Sequence, residues 1–514
     1  MVLHTLLEGL SDYKIYGSEK IVISALTDDS RKIKKSNLFI AIKGLKVDAH
    51  KFIPDAIAKG ASVIVGEVEP KNEWLRKITY IRVPNSRYAL GVIASAWYGY
   101  PSRSMKVIGV TGTKGKTTVS HILFWLFKNA GLRAGLVSSI NAFIGDRELD
   151  TGAHVTNPEP LSLQKLLSQM LEAKCEYAVL EITSHGLDQE RVAGIDFDTA
   201  ILTNIAHEHL DYHQTFENYK TAKAKLFRSV NVAILNKDDG SFEFIKGVLP
   251  QTTQLITYAI KNQADYTGGK LLLNEVMKFQ VMVGSEKHEI TSNLVGDYNA
   301  LNILAAIAVA RKLDVDWHSI EKTITDLPKL PGRFEKIEND KGISIYVDFA
   351  HTPDSLEKVL ALLRKKYSGR LISVFGCASE RDTLKRPMMG EISTRLADIS
   401  IFTAEDPRNE SVDKVISEIV GGVKKKRAEE GKPRYFHESI NRSKKHIFFR
   451  IPERGEAISF AIRKLAKKGD VVAIFGKGHE KSMAYNGIEY PWSDQEAVKI
   501  ALKGKVKEIK RPGL

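Results

Sequence analysis

The segment GTKGKTT, which begins at Gly112, combines residue types and a spacing that suit phosphate binding. Gly112 and Gly115 let backbone N–H groups turn toward an anion, and a helix that begins here adds its positive end. Lys116 can reach the terminal phosphates of a nucleotide, and the Thr117 hydroxyl can hold Mg²⁺. The general P-loop pattern has glycine where this chain has Val110, so an ordinary strand-to-helix turn is the alternative interpretation.

Two further polar groups follow apolar segments and could bind a metal. Glu181 lies in the segment YAVLEI, and Thr-Ser-His follows this segment. The segment HEHLDYH, residues 207–213, brings three histidines and the carboxylates Glu208 and Asp211 into one loop. This density favours a functional site over structural histidines. Zinc is possible in principle, but oxygen-rich partners and the nearby phosphate loop favour Mg²⁺.

The elements that must position these residues alternate between strand and helix. A strand over 106–110 and a helix over 117–130 flank the phosphate loop, and Gly131 stands where that helix should end. Further strands are predicted at 177–182, 199–204 and 231–236. This alternation predicts a mostly parallel sheet whose ligands collect at the carboxyl ends of the strands.

Two later helices of this region carry polar residues. The helix predicted over 216–227 contains three lysines, which are ordinarily solvated. The helix over 297–313 has Asn299 and Asn302 near its start, where asparagine can cap a helix or read a base edge. Residues 237–292 are predicted to be strand-like and irregular.

Two more α/β regions flank this central one. The first, residues 1 to about 98, has predicted strands at 37–42, 62–67 and 78–83 and helices at 52–59 and 86–98. The third begins near 333 and has strands at 343–349, 370–375, 399–403 and 471–475 and helices at 353–366, 411–423, 454–467 and 494–502. Polar clusters again follow its strands, at 376–386, 405–408 and 476–480.

The composition bounds the class of protein. A chain of 514 residues with 43% hydrophobic and 27% charged residues is typical of a globular protein of two to four domains. The sequence has no membrane-spanning apolar run and no secretory signal, and only Cys175 and Cys377 are present, which predicts a cytoplasmic protein without a thiolate metal site. The net charge of +14 is dispersed, which favours polyanionic small substrates over nucleic acid.

The ordered motifs resemble the Mur ligases of peptidoglycan synthesis along essentially the whole chain. Besides the phosphate loop, the matching segments are EITSHGL from Glu181, HLDYH from His209, Gly332-Arg333, DFAHTPD from Asp348, Lys385-Arg386-Pro387 and GKGHE from Gly476. They are similar to the MurE type, which adds the third amino acid of the stem peptide. The resemblance implies an α/β chain of three domains: a UDP-binding domain (1–98), a central P-loop ATPase-like domain (99–332) and a Rossmann-like amino-acid domain (333–514).

The implied reaction is ATP-dependent amide formation on UDP-MurNAc-L-Ala-D-Glu. Phosphorylation of the D-Glu carboxylate gives an acyl phosphate, which the incoming amine attacks. Because a carboxylate and ATP repel each other, cations must screen them. The resemblance thus implies ATP and Mg²⁺, a CO₂-derived carbamate on one lysine, no nucleic-acid partner, and a cytoplasmic monomer.

The resemblance also assigns site residues. The catalytic group is Lys116, Glu181, His209 and Lys223. Metal ligands are Thr117, Glu181, His209 and Lys223, the last as N6-carboxylysine. ATP contacts are Gly112, Thr113, Lys114, Gly115, Lys116, Thr117, Thr118, Asn302 (adenine) and Asp348 (ribose). The UDP-MurNAc-dipeptide contacts are Ser30, His50, Thr156, Asn157, Ser184, Gln189 and Arg191. The amino-acid contacts are Arg381, Glu405, Asp406, Arg408, Gly476 and Glu480.

The residues of the specificity loop address which amino acid is added. Diaminopimelate-adding members carry Asp-Asn-Pro-Arg where this chain has Glu405, Asp406, Pro407 and Arg408. Arg408 can grip the distal carboxylate of meso-diaminopimelate, which L-lysine lacks. Asp406 could instead attract the bare ammonium of L-lysine. We favour meso-diaminopimelate, with L-lysine as the alternative.

Other departures concern Asn157, where the family often has threonine, Glu208, where it has aspartate, and residues 378–380. Three other functions remain open on the residues alone. One is a different Mur or folylpolyglutamate-type ligase. The others are a nucleic-acid-dependent ATPase and a noncatalytic UDP-sugar binding protein.

Overall fold

The structure is a computed structural model, and it describes residues 1–44, 47–149, 156–273, 276–294, 296–380, 382–423, 427–436 and 445–513. The chain divides into two compact units, Met1–Leu327 and Pro328–Leu514. The first unit holds a five-stranded and an eleven-stranded sheet, and the second holds a seven-stranded sheet and a hairpin. The predicted α/β class is confirmed, and the domain boundaries near residues 98 and 332 stay a prediction.

The amino-terminal region forms the smaller sheet of the first unit. Its strands are β1 (Lys14–Tyr16), β2 (Ala25–Thr27), β3 (Asn37–Ile40), β4 (Val63–Gly66) and β5 (Thr79–Arg82). Its helices are α1 (Leu3–Leu7), α2 (Ile53–Ala58), α3 (Asn72–Leu75) and α4 (Ser86–Trp97). The order is β1-β5-β4-β3-β2, and only β1 is antiparallel to its neighbour. The apolar runs of β3 and β4 are buried throughout, as the central strands of a parallel sheet require.

The larger sheet forms the centre of the first unit. Its strands are β6 (Lys106–Thr111), β7 (Ala134–Val137), β8 (Ala142–Ile144), β9 (Arg147–Leu149), β10 (Tyr177–Ile182), β11 (Thr199–Leu202), β12 (Val232–Asn236), β13 (Gln254–Ala259), β14 (Tyr266–Leu273), β15 (Met277–Val283) and β16 (Glu286–Ser292). The order is β16-β15-β14-β13-β12-β11-β6-β10-β7-β8-β9. The run from β14 to β7 is parallel, which confirms the predicted mostly parallel sheet. Residues 254–259, 266–273, 277–283 and 286–292 form strands, with a register shift in β14, as the strand-like prediction requires. The prediction is wrong for residues 242–246, which form a short helix.

Helices cover this sheet and support its loops. They are α5 (Lys116–Asn129), α6 (Pro160–Glu172), α7 (Ser184–Asp188), α8 (Leu210–His213), α9 (Phe216–Ala224), α10 (Phe242–Lys246), α11 (Asp297–Lys312) and α12 (Trp317–Thr325). The apolar faces of α5 and α11 share one core cluster with the sheet. Gly131, at φ +77°, follows the last turn of α5, as predicted. Glu181 pairs in register with Val110, so β6 and β10 end at the same edge.

The second unit is a parallel sheet with helices and one edge hairpin. Its strands are β17 (Glu335–Ile337), β18 (Ser344–Asp348), β19 (Leu371–Phe375), β20 (Ile399–Phe402), β21 (Ala428–Glu430), β22 (His446–Arg450) and β23 (Val471–Phe475), and the hairpin is β24 (Ser482–Tyr485) with β25 (Ile488–Pro491). Its helices are α13 (Pro353–Lys366), α14 (Lys385–Leu396), α15 (Val412–Gly421), α16 (Arg454–Phe460) and α17 (Asp494–Leu502). The order is β17-β18-β23-β19-β20-β22-β21, and only β17 is antiparallel. The predicted strands and helices of this region are confirmed with boundaries that differ by one or a few residues.

The cysteines and the length of the helices can be compared with the predictions from composition. Both cysteines are buried free thiols, and burial raises the pKa of Cys377 to about 12. Across the described ranges, no helix is both long and apolar enough to cross a membrane.

Candidate active site

The phosphate loop is held rigidly at the carboxyl end of the central sheet. Gly112 has φ +151° and Gly115, which caps α5, has φ +88°. A Cβ at Gly112 would overlap the Thr203 hydroxyl, which donates to Lys114 O at 2.7 Å. Thr113 N donates to Asn204 O at 2.7 Å, so the loop is fixed against the segment after β11. This turn therefore needs glycine and presents the start of α5 as an anion site.

Thr117 and Glu181, both predicted metal ligands, are in direct contact. The Thr117 hydroxyl lies 3.0 Å from each oxygen of the Glu181 carboxylate, which is 2% exposed. Ser139 N donates to the same carboxylate at 2.9 Å, a contact that no motif in the sequence signalled. A hydroxyl and a carboxylate oxygen beside a phosphate loop are ligands that suit Mg²⁺. No cluster of three or more acidic, histidine or cysteine ligands occurs in the described part of the chain, so a bound ion would also need oxygens from substrate or water.

His209 is in the protonation state that a metal ligand needs. It caps α8 with a left-handed backbone, at φ +57°, and its ring centroid lies 4.7 Å from that of His185. Burial lowers the pKa of His209 to about 2, and the charge of Lys116 acts in the same direction. The imidazole is therefore neutral at pH 7. The role of His209 at a second Mg²⁺ stays a prediction.

Lys223 is buried beneath the phosphate loop. Its side chain, on α9, is 1% exposed, and Nζ donates to Gly112 O at 2.7 Å. Nζ also lies 4.7 Å from the centroid of the Tyr219 ring. Burial lowers the pKa of Lys223 well below its ordinary value, and the charge of Lys116 adds to this. The general expectation that lysines of this helix are solvated is wrong for Lys223, because the helix turns this position onto the loop.

The neighbouring lysines have different partners. Lys220 pairs with Glu217 at 2.8 Å and Lys225 pairs with Glu190 at 3.2 Å. On the loop itself, Lys114 pairs with Glu208 at 2.7 Å and Lys116 Nζ donates to Thr113 O at 3.0 Å. Glu208, the departure from the family's aspartate, thus reaches a lysine of the phosphate loop.

Asn302 also lies at the phosphate loop. Its Nδ2 donates to Asn299 Oδ1 at 3.1 Å, and a Cβ at Gly115 would overlap its Oδ1. Thr118 is half-buried in the first turn of α5. The structure therefore brings the predicted adenine contact beside the predicted phosphate contacts.

The predicted dipeptide contacts surround Glu181. Asn157 Nδ2 donates to Glu181 O at 2.7 Å, and Asn157 Oδ1 accepts from Thr183 N at 2.9 Å. Arg191 Nη1 donates to Asn157 O at 2.9 Å. Three further contacts complete the group: Thr156 with Ser139, Ser184 with His213, and Gln189 with Arg191. Asn157, which stands where the family often has threonine, therefore takes part in the hydrogen bonds around Glu181 through its side-chain amide.

The predicted nucleotide-sugar residues lie in the amino-terminal region. His50 is 8% exposed, its Nδ1 lies 2.6 Å from Asp48 Oδ1, and its Nε2 accepts from Glu67 N at 2.9 Å. Ser30 O accepts from Lys59 Nζ at 2.9 Å. Both ring nitrogens of His50 therefore serve the protein, and the contact of either residue with UDP stays a prediction.

In the second unit, two loops carry the predicted amino-acid contacts. Residues 405–408 follow β20 and residues 476–480 follow β23. Lys477 Nζ lies 3.0 and 3.1 Å from the two Asp406 oxygens, and it also pairs with Glu480. Ala484 N donates to Asp406 at 3.0 Å. The expectation that Asp406 could attract a bare ammonium is therefore weakened, because Lys477, to which the sequence assigned no role, already pairs with it.

Glu405 and Gly476 face each other between these loops. Glu405 is 6% exposed, and its Oε2 has no hydrogen-bond partner among the described residues. Burial raises the pKa of Glu405 to about 7. Gly476 has φ +106°, and a Cβ there would overlap the Glu405 carboxylate. The close approach of these two segments explains why a glycine stands at position 476. The Oε2 atom of Glu405, which has no partner among the described residues, is available to accept a hydrogen bond from a ligand.

Arg408 is held by its backbone. It has φ +46°, its N donates to Ala484 O at 2.9 Å and its O accepts from Asn486 N at 2.7 Å. The hairpin β24–β25 thus fixes the residue while the side chain remains partly exposed. Arg381 lies outside the described residues. Asp348 accepts from Phe334 N at 2.6 Å and from Ala350 N at 2.8 Å, and its ribose contact stays a prediction.

Known proteins similar to this chain cover its whole length. The model of the Mur ligase family catalytic domain matches residues 22–98, that of the Mur ligase middle domain 110–310, and that of the Mur ligase glutamate ligase domain 332–478. The UDP-N-acetylmuramoyl-L-alanyl-D-glutamate--2,6-diaminopimelate ligase of Clostridium tetani is 37% identical over 97% of this chain and 99% of that protein. The ligase of the same name from Bacillus licheniformis is 36% identical over 98% and 99%.

Solved structures agree with this. A structure of a UDP-N-acetylmuramoyl-L-alanyl-D-glutamate--2,6-diaminopimelate ligase is 28% identical and covers 98% of this chain and 99% of that chain, with a TM-score of 0.66. MurF from Acinetobacter baumannii, 18% identical with a TM-score of 0.65, covers 99% of both chains and shares the fold. Because the family models and relatives at 36–37% identity extend over nearly all residues, this chain belongs to the Mur ligase family.

Proposed function

We propose that this protein is an ATP-dependent ligase that joins meso-diaminopimelate to the D-Glu carboxyl of UDP-MurNAc-L-Ala-D-Glu, the activity of EC class 6.3.2.13. One observation carries the proposal: the Thr117–Glu181 pair and the buried Lys223 amine meet at the same phosphate loop. The names of relatives that match the chain from end to end support the same reaction.

Different residues of the first unit have different roles in the reaction. Lys116 and the N-terminus of α5 screen the phosphates, so that the D-Glu carboxylate can approach the γ-phosphate of ATP. Transfer of this phosphoryl group gives an acyl phosphate and ADP. The amine of the incoming amino acid then attacks the acyl carbon, an amide bond forms, and inorganic phosphate leaves. Asn157 and Arg191, which are joined to each other and to Glu181, orient the dipeptide.

Mg²⁺ fits the residues at the loop. Thr117 and Glu181 would hold one ion, and Glu181 and His209 a second, with oxygen and neutral imidazole donors. When bound, Mg²⁺ supplies positive charge that offsets the repulsion between carboxylate and phosphates. Lys223 would contribute as a carbamate. Its neutral amine can attack CO₂ with release of one proton, which converts a potential cation into a carbamate whose two oxygens share one negative charge.

The amino-acid loops favour diaminopimelate over the alternative, L-lysine. Asp406 is already paired with Lys477, so it is less available to an incoming ammonium group. Arg408 retains a partly exposed guanidinium that suits a distal carboxylate. Glu405 offers its free oxygen to an ammonium group. We also propose that the enzyme acts as a cytoplasmic monomer and needs no nucleic acid.

The test is phosphate release from ATP and Mg²⁺ with UDP-MurNAc-L-Ala-D-Glu and either meso-diaminopimelate or L-lysine. We expect release that depends on the amino acid and is faster with diaminopimelate. UDP-MurNAc-L-Ala, which lacks the reacting carboxyl, is the matched control and should give none. Faster release with L-lysine would refute the choice of amino acid. If no phosphate is released with either amino acid, the proposed ligase activity is refuted.

A further inference from the structure

A buried ion pair in the second unit lies behind the two amino-acid loops. The Arg454 and Asp494 side chains are 1% and 0% exposed. Arg454 Nε donates to Asp494 Oδ1 at 2.7 Å and Nη2 donates to Oδ2 at 2.6 Å, which is a bidentate pair. Trp492 Nε1 also donates to Asp494 Oδ1, at 2.8 Å. The guanidinium plane is therefore fixed from one side.

The remaining donors of Arg454 reach the backbone just before each loop. Nη1 donates to Ala404 O at 2.9 Å and Nη2 donates to Phe475 O at 2.8 Å. Ala404 precedes Glu405, and Phe475 precedes Gly476. The strands β20 and β23 that lead to these loops are not neighbours, because β19 lies between them. Sheet hydrogen bonds thus join the loops only through a third strand. Two side chains join them directly: Lys477 pairs with Asp406 within the loops, and Arg454 binds the carbonyls at their bases.

Stability alone is a poor reason for this arrangement. A fully buried ion pair pays a desolvation penalty that apolar residues of the same volume would avoid. The pair here does what apolar residues cannot, since it binds two carbonyls at a fixed separation. Glu405 and Gly476, the next residues along the chain, are packed so closely that a Cβ at Gly476 would overlap the carboxylate.

We propose that Arg454, oriented by Asp494, is a positioning residue that sets the separation of loops 405–408 and 476–480 and thereby the choice between diamino acids. The proposal rests on the proposed function and names the residues that enforce its selectivity. Neither residue is a catalytic residue, because both are sealed beneath the loops.

The same sheet offers a matched control at its opposite edge. Arg370 precedes β19 and Asp470 precedes β23, and Arg370 Nε donates to Asp470 Oδ1 at 3.3 Å. Arg370 also donates to Leu465 O at 2.8 Å. This pair has the same chemistry and joins the same sheet, but it lies at the amino ends of the strands, away from both loops.

The experiment compares D494N with D470N in the full-length enzyme. For D494N we expect KM for meso-diaminopimelate to rise about 10-fold and the preference over L-lysine to fall about fivefold, since small misplacements are costly. KM for ATP and for UDP-MurNAc-L-Ala-D-Glu should stay within about twofold. D470N should leave all of these constants within about twofold. R454K, which keeps the charge and loses the fork, should resemble D494N.

Amide hydrogen exchange supplies a readout that does not require activity. D494N should speed exchange in residues 405–410 and 476–480, and D470N should not. If D494N fails to fold, W492F, which removes one hydrogen bond to Asp494, takes its place with smaller changes in the same direction. Unchanged exchange in both loops, equal effects of D470N, or faster exchange with unchanged amino-acid constants would each overturn the proposal. If the wild-type enzyme releases no phosphate with any amino acid, the proposed function fails while the exchange comparison still decides whether Arg454 positions the loops.

Discussion

Lys223 and Lys477 are the same residue type and almost equally buried, yet their surroundings shift their pKa values in opposite directions. Lys223 donates to a carbonyl oxygen of the phosphate loop, and its pKa is lowered well below the ordinary value, chiefly by burial. Lys477 lies between Asp406 and Glu480, and these carboxylates raise its pKa although burial works in the other direction.

The difference reflects what each site must receive. At the phosphate loop, Lys223 contacts a backbone carbonyl and its pKa is lowered, so we infer that charge is added there by ligands or by modification of the amine. In the amino-acid loops, Lys477 is shared by Asp406 and Glu480, so these ion pairs join the loops before a ligand arrives. We therefore infer that ligands or modification set the charge of the phosphate loop, whereas ion pairs between distant parts of the chain set the shape of the amino-acid loops.

The largest effect is expected for K477A. Removing this cation leaves Asp406 and Glu480 side by side without their shared partner, and breaking a buried pair costs about 3–5 kcal/mol. We expect this loss in the opening free energy of amides in β19 and β23, measured by native-state hydrogen exchange.

The control is K505A, because Lys505 pairs with Glu508 at 3.1 Å with both side chains more than half exposed. Its effect should be within about 0.5 kcal/mol. The double variant K477M/D406N should recover part of the loss, since it removes one of the two unpaired charges. No recovery would mean that packing, not charge, explains the single variant.

For Lys223, the comparison predicts lost activity without lost stability. K223A removes an amine that donates one hydrogen bond to Gly112 O, so we expect the fold to persist, while kcat should fall about 100- to 1000-fold if a carbamate supplies essential charge. K220A, on the same helix, is the control and should be nearly as active as the wild type. ¹³C-labelled bicarbonate should give a carbamate NMR signal in the wild type and none in K223A. Full activity of K223A would disprove the assignment.

These cases show what could be predicted from the sequence. The phosphate loop, Glu181 and the helix of Lys223 were predicted because the motif and the strand–helix alternation are local. The burial of Lys223 could not be predicted from the sequence pattern of its helix, because Lys220 and Lys225 look equivalent to it there. Only the resemblance singled it out, and the structure supplies the physical reason, which is its contact with Gly112.

The second unit was less predictable. Its strands and loops followed from apolar runs and glycines, but the partners of its charges lie far apart in the sequence. Lys477 and Asp406 are separated by 71 positions, and Arg454 and Asp494 by 40. Periodicity carries no signal for such pairs. The sequence therefore indicated which loops are candidates for binding the amino acid without indicating which ion pairs hold them in place.

Glu405 predicts a pH dependence of stability. Its pKa is about 7 in the folded chain against 4.5 for an exposed glutamate, so the folded state keeps the proton to higher pH. Stability from this group is therefore greatest below pH 4.5 and is lost as the pH rises through 7, by about 3 kcal/mol in total. E405Q should remove this loss, as measured by urea unfolding of the full chain between pH 5 and 8.

Glu410 provides the contrasting control. The Arg386 hydrogen bonds lower the pKa of Glu410 to about 2, so its contribution is present above pH 4.5 and is lost only as the pH falls toward 2. E410Q should be destabilised by a constant amount between pH 5 and 8. An equal pH slope in the wild type and in E405Q would show that Glu405 is ionised in the folded chain.

The smallest effect is expected for Arg408, whose side chain we propose to contact only the incoming amino acid. Because its backbone is left-handed, R408N is a better probe than R408A, since asparagine tolerates this conformation. Loss of a bidentate contact should raise KM for meso-diaminopimelate about 10-fold, with KM for ATP unchanged and L-lysine use barely affected. R408K should recover little, because an ammonium lacks the planar fork. Equal losses with both amino acids would instead place Arg408 at the common carboxylate, and selectivity would then rest on Asp406 and its partner Lys477.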